Sequence, residues 1–241
     1  YELPGGPGAS TVHLELEELN EMAVRYTEDG RAVFFTVADG RVVDQVRLTD
    51  VKVRSVASGQ PGKGLVALGL ADGTVRLARH VFKVSYPNDV RTITPSIEYP
   101  YGEDAFAVDD GRHALKRLAV RDGEEGLMLA AYTDDGRLLI ADFVKEVSFL
   151  DESVALQRTV TALPEVDIDV AYLLLGGEQE HLFVADAEGQ LLHFRVDREA
   201  GASLAERVQL TAKNVPLTSL RFLVGGMSLL AGGADGSISQ W

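Results

Sequence analysis

Apolar residues in this chain come in short runs, and the runs are broken at regular places by a turn ending in glycine. AVFFTVADGRVVDQVRL (Ala32–Leu48) and LVALGLADGTVRLARH (Leu65–His80) set the pattern. It returns in LMLAAYTDDGRLLIADF (Leu127–Phe143), HLFVADAEGQLLHFRV (His181–Val196) and SLLAGGADGSISQW (Ser228–Trp241). Before each glycine the run is nearly all apolar or small, as in a strand buried on both faces. After it, pairs such as Val75 and Leu77, or Leu192 and Phe194, fall two apart, as on a strand with one buried face. Asp-Gly supplies the two positive-φ positions that a tight two-residue hairpin prefers. The turn glycines are Gly40, Gly73, Gly136, Gly189 and Gly236, at intervals of 33, 63, 53 and 47 residues.

A third element precedes the hairpins, as in Met22–Gly30, Ala114–Gly126 and Leu217–Gly226, and stretches such as Val154–Leu163 and Arg207–Thr211 supply a fourth strand. Helical spacing fits poorly, because β-branched residues and glycines interrupt every longer candidate. The exception is Leu14–Glu21, where a turn or two of helix competes with the strand alternation of Val12, Leu14 and Leu16. The chain therefore reads as all-β. Four antiparallel strands repeated every ~40 to 50 residues is the spacing of a β-propeller blade. Five units are recognisable over residues 11–241, and residues 1–10 (YELPGGPGAS) read as a flexible lead-in. The last unit stops after its third strand. Either Thr11–Leu19 supplies the missing outer strand, or the segment belongs to a larger ring.

Composition narrows the functions. The chain has 241 residues, 46% of them hydrophobic, which leaves ample material for a core. Acidic side chains number 37 against 23 basic ones, a net charge of −14, and this argues against nucleic acid and anionic membranes as general partners. The absence of cysteine excludes disulfides, thiol catalysis and thiolate metal sites. No apolar run approaches the roughly 18 residues of a membrane-spanning helix. Much of the acidity sits in turns, since Asp39, Asp72, Asp110, Asp135, Glu188 and Asp235 each precede a glycine.

Candidate chemistry is sparse. SGQPGKGL (Ser58–Leu65) has a shorter spacing than a phosphate-binding loop, lacks a Ser or Thr after Lys63, and leads into no helix. His13, His80, His113, His181 and His193 lack the close spacing of helical metal sites and read as packed or solvated residues. The acidic pairs Asp109–Asp110, Asp134–Asp135 and Asp167–Asp169 complete no calcium loop. No nucleophile-elbow GxSxG supports a serine triad. No catalytic, cofactor or metal residues are expected. The least repetitive stretch, Phe82–Phe106, gathers Tyr86, Pro87, Tyr99, Pro100 and Tyr101. Rigid tyrosines beside prolines suit a partner-binding loop, and they equally suit a long hairpin whose rings cover its neighbours.

LVALGLADGTVRLAR and LLAGGADGSISQW resemble the central strands of WD40-type propeller blades, with Trp241 where that family has tryptophan. The chain departs from the family in having neither a Trp-Asp pair nor the His-containing turn. RLARHVFKVSYPNDVRTITPSIEYPYG and GGADGSISQW also resemble the soluble insertion of phosphate-type ABC transporter permease subunits of proteobacteria. That resemblance implies a non-catalytic, periplasmic interaction domain of an inner-membrane protein. Its partners would be transporter subunits or the periplasmic substrate-binding protein, and more propeller sequence would follow Trp241. A free-standing cytoplasmic scaffold and a propeller hydrolase or lyase remain the alternatives.

Overall fold

A computed structural model describes residues 10–59, 63–123, 126–147, 154–177, 179–197, 201–212, 214–223 and 228–241. The lead-in before residue 10 and residues 60–62 of the glycine-rich stretch Ser58–Leu65 lie outside them. The chain forms two compact units, Tyr1–Leu115 and Lys116–Trp241. It is all-β, with only two short 3₁₀ turns beside the strands among the described residues, and no helix there is long and apolar enough to cross a membrane.

In the first unit, sheet A runs in chain order through β1 (Thr11–Glu17), β2 (Met22–Thr27), β3 (Arg31–Thr36) and β4 (Val42–Arg47). Sheet B follows as β5 (Val53–Ser58), β6 (Leu65–Leu70), β7 (Thr74–Ser85) and β8 (Thr92–Glu98), with β9 (Phe106–Ala107) pairing the start of β7. In the second unit, sheet C comprises β10 (Leu115–Asp122), β11 (Gly126–Thr133), β12 (Leu138–Val147) and β13 (Val154–Ala162). Sheet D comprises β14 (Tyr172–Gly176), β15 (His181–Ala185), β16 (Gln190–Asp197) and β17 (Gly201–Gln209). Sheet E has β18 (Leu217–Phe222), β19 (Leu229–Gly233) and β20 (Ile238–Gln240). The strands pair antiparallel and follow one another in chain order in each sheet, with β9 added beside β7 in sheet B. The segment Thr11–Leu19 resolves into β1 and the start of a 3₁₀ turn, Glu18–Asn20. Its strand pairs with β2, so sheet E remains three-stranded among the described residues.

The turns correct two sequence expectations. In every sheet the second and third strands meet at a positive-φ glycine: Gly30 (84°), Gly73 (77°), Gly136 (90°), Gly189 (86°) and Gly236 (82°). The equivalent glycine of the first unit is thus Gly30, and Gly40 belongs to the following β3–β4 turn. The first interval becomes 43 residues, which brings it into line with the others. Nor do both turn residues adopt positive φ, because the acid before each glycine stays outside that region. Gly136 N–H reaches Thr133 C=O at 3.2 Å, and Thr133 N–H reaches Arg137 C=O at 3.0 Å. This is a type I turn followed by a left-handed glycine, the three-residue hairpin loop. Side chains lock it. The Thr133 hydroxyl donates to Asp135, Arg137 N–H donates back to that hydroxyl at 2.9 Å, and Arg137 Nε pairs with Asp135 at 2.8 Å. Thr27, Asp29 and Arg31 repeat the arrangement residue for residue.

Burial follows the predicted pattern. β2, β6 and β11, the apolar second strands, are buried along their whole length, whereas the outer strands β4 and β17 are largely exposed. In the first unit Met22, Val24, Tyr26, Ala32 and Phe34 of sheet A pack on Val66, Leu68, Leu70 and Ala78 of sheet B. Each such large apolar side chain contributes about 1.5–3 kcal/mol by leaving water. The second unit repeats this between sheets C and D and between sheets D and E.

Candidate functional site

One end of the apolar layer in the first unit is closed by polar groups from four strands. Period-two geometry puts His13 and Glu15 on the same face of β1, and the ladder sets Tyr26 directly opposite His13. From sheet B come Ser58, at the end of β5, and His80, in β7. Glu15 is the hub. It accepts from Ser58 Oγ and stands 3.0 Å from His13 Nε2, while its second oxygen lies 3.5 Å from His80 Nε2. Behind it Tyr26 Oη lies 2.8 Å from His80 Nδ1, in surroundings where Tyr26 is fully buried. The partners assign the protons: the phenol donates to Nδ1, leaving His80 Nε2–H facing Glu15.

The electrostatics agree with that assignment. Burial opposes charge on Glu15, but the bonds from His13 and Ser58, with His80 beyond, outweigh it and hold the carboxyl below its ordinary range. Burial pushes the Tyr26 phenol well above its usual value, and the Glu15 charge adds to this. Burial lowers His80, with Glu15 pulling partly the other way. Glu15 is therefore the anion of the cluster, with the Tyr26 phenol held neutral behind it. Ser58, His13 and Glu15 are the residue types of a hydrolytic triad, but the arrangement differs. Ser58 Oγ meets His13 Nε2 at 2.7 Å, and Glu15 meets the same nitrogen, so the imidazole does not stand between acid and hydroxyl.

A second group lies on sheet D. His181 Nδ1 is 2.9 Å from His193 Nε2, across the hairpin that turns at Gly189. Phe183 stacks on His193 with ring centres 4.7 Å apart, and Trp241 meets both rings edge-on at 5.5 and 5.6 Å. Burial and the neighbouring His181 lower His193, against a smaller opposite pull from Glu206. The fifth histidine is structural: the buried Asp109 carboxylate accepts from His113 N–H at 2.8 Å and faces its Nδ1 at 2.7 Å. The other acidic pairs have partners too. Asp135 serves its turn, and Asp167 takes Arg207 at 2.7 Å. An open groove of about 550 Å³ in the second unit is lined by Lys116, Arg117, Asp169 and Glu188, whose charges offset one another.

The tyrosine-proline residues fall in two places. β7 and β8 form a long hairpin, with Tyr86 and Pro87 at its tip and Tyr99, Pro100 and Tyr101 at its base. Six residue steps along the strand, ~20 Å, separate the two groups. Tyr99 packs on the apolar layer under the Arg76 guanidinium, 5.8 Å from the ring centre. Tyr86 instead is 64% exposed, beside Val90 at 62%. Arg91 ties this tip to the 3₁₀ turn after β1, donating to Leu19 C=O at 3.3 Å and Asn20 Oδ1 at 2.8 Å. Leu19 is 87% exposed, and Val37, whose N–H bonds Glu21 C=O at 2.9 Å, is 52% exposed. Tyr86, Val90, Leu19 and Val37 thus project from three segments that are bonded to one another. Exposed Glu18, Glu21, Asp39 and Asp89 belong to the same segments.

Leu19 and Val37 were not among the residues expected to bind a partner, because nothing in sequence joins residues 19, 37 and 90. No family model matches the chain, and no curated protein matches it.

Proposed function

We propose that the chain is a non-catalytic protein-interaction domain built from blades of a WD40-like β-propeller. It would belong to the periplasmic part of a phosphate-type ABC transporter permease and dock a partner such as the substrate-binding protein. The propeller reading is supported by five consecutive meanders, four of them with four strands in chain order, each turning at the same glycine position between its second and third strands. The transporter assignment rests on the resemblance of Arg76–Gly102 and Gly232–Trp241 to the permease insertion.

The observation that carries the interaction reading is the apolar group Leu19, Val37, Tyr86 and Val90. Large apolar side chains gathered in one place and rimmed by charge mark protein-binding surfaces. The Arg91 tether orders the tip before binding, which lowers the entropic cost of association. The acidic rim calls for a partner whose contact face is apolar and bordered by Lys and Arg. Interferometry against the substrate-binding protein of the same transport system, with and without phosphate, tests this. Saturable binding that Leu19→Asp and Val90→Asp weaken supports the reading, and no binding at tens of micromolar rejects it.

A second reading, a propeller hydrolase or lyase, draws on the Glu15 cluster. It requires turnover of an activated ester or lactone that Ser58→Ala abolishes without loss of fold. Activity unchanged in that variant removes Ser58 from the chemistry.

A further inference from the structure

The histidine pair on sheet D has a geometry that packing alone does not require. Phe183 lies opposite His193 in the β15–β16 ladder, so His181 is the diagonal neighbour of His193 on the same face. The two facing nitrogens are 2.9 Å apart. A late first-row metal ion binds imidazole nitrogen at roughly 2.0–2.1 Å, so two such bonds at a right angle set the nitrogens about 2.9 Å apart, and a tetrahedral angle sets them about 3.3 Å apart. The pair stands at the short edge of that range without moving the backbone.

Its surroundings hold the His193 ring. Phe183 is stacked on His193 at an interplanar angle of 17°, and Trp241 closes on His193 at 75°. Both histidines are only partly buried, so solvent reaches them. Glu206, opposite His193 on β17, adds negative charge beside the pair, against the positive charge of Arg195.

We propose that His181 Nδ1 and His193 Nε2 form a two-histidine site for a late first-row divalent cation of the nickel, copper or zinc class. Imidazole ligands suit these ions and not magnesium or calcium. On binding, the proton now shared between the rings moves through solvent to the outer nitrogen of its own ring. Both histidines then ligate as neutral imidazoles, and no net proton is released. Among the described residues no three His, Asp or Glu side chains converge to hold an ion by themselves. Water fills the remaining positions, which leaves the ion open to an added ligand.

Trp241 makes the test direct. It is the only tryptophan of the chain, and its ring centre is 5.6 Å from that of His193. Nickel is titrated into the chain in a buffer free of chelators while tryptophan emission is followed. Saturable quenching at one ion per chain, reversed by the non-quenching zinc ion, is expected. His193→Gln and His181→Gln each weaken apparent affinity by at least about 10-fold, the lower end of what even an indirect partner of a metal contributes. His113→Gln leaves it unchanged. Circular dichroism checks the fold, and either pair variant suffices for the comparison. Quenching that is absent, fails to saturate, or is the same in the pair variants overturns the site.

Discussion

Replacing Tyr26 by phenylalanine removes one hydroxyl from the layer between sheets A and B and changes little else in shape. Tyr26 is fully buried, His80 is 8% exposed, and the bond between them is 2.8 Å. The lost bond is worth about 1 kcal/mol net, and leaving the buried His80 Nδ1 without a donor adds to the penalty, for a total of about 2 kcal/mol. With an unfolding entropy of roughly 2 cal/mol/K per residue, that lowers the melting temperature by about 8 °C if a unit of ~115 residues melts alone. The fall is about 4 °C if the whole chain melts together. Urea unfolding followed by circular dichroism gives the free energy, and a cycle with His80→Leu isolates the pair. Once both partners are apolar the unpaired acceptor is gone, so the double variant should be less destabilised than the sum of the singles, by about 1 kcal/mol or more. A Tyr26→Phe loss below about 0.5 kcal/mol, or strict additivity in the cycle, would refute the assignment of the phenol as donor to His80.

Acid should weaken the same cluster. His80 and Glu15 both have lowered values in the folded chain, so the unfolded chain binds more protons and stability falls as the pH is lowered. The His80 share is lost as pH drops below its ordinary 6.5, and the Glu15 share below 4.5. In urea titrations between pH 7 and pH 5, His80→Gln should flatten part of the decline, with His193 accounting for another part; an unchanged slope contradicts this. Two turn variants separate backbone strain from crowding. Gly136→Ala should cost about 1–2 kcal/mol for its positive φ, since the nearest atom to a new Cβ is Tyr132 Oη at 3.8 Å. Gly30→Ala should cost clearly more, because its Cβ would run into the Thr49 carbonyl. Equal losses in thermal melts would deny the difference.

Strands and turns were legible in sequence because their causes are local: a run of apolar residues, and a glycine where φ must be positive. Local cause also produced the misassignment of the first unit, where two consecutive turns, Glu28–Gly30 and Ala38–Gly40, both end in Asp-Gly. The better signal was Thr-x-Asp-Gly-Arg, present at Thr27–Arg31 and Thr133–Arg137, in which threonine, aspartate and arginine lock the turn together. The histidine pair was recoverable in principle, since folding the hairpin at Gly189 places residues 181 and 193 on one face. The Glu15 cluster was not. Its groups come from residues 13, 15, 26, 58 and 80, and only the packing of one sheet on another brings them together. The Leu19, Val37 and Val90 group depends in the same way on a single long-range tether from Arg91.

The most direct test of the proposed function is equilibrium binding between this chain and the substrate-binding protein of its transport system, measured by interferometry. The prediction is saturable binding, weakened by Leu19→Asp and Val90→Asp and by salt that screens the acidic rim. Binding that ignores both substitutions, or no binding at tens of micromolar, contradicts it.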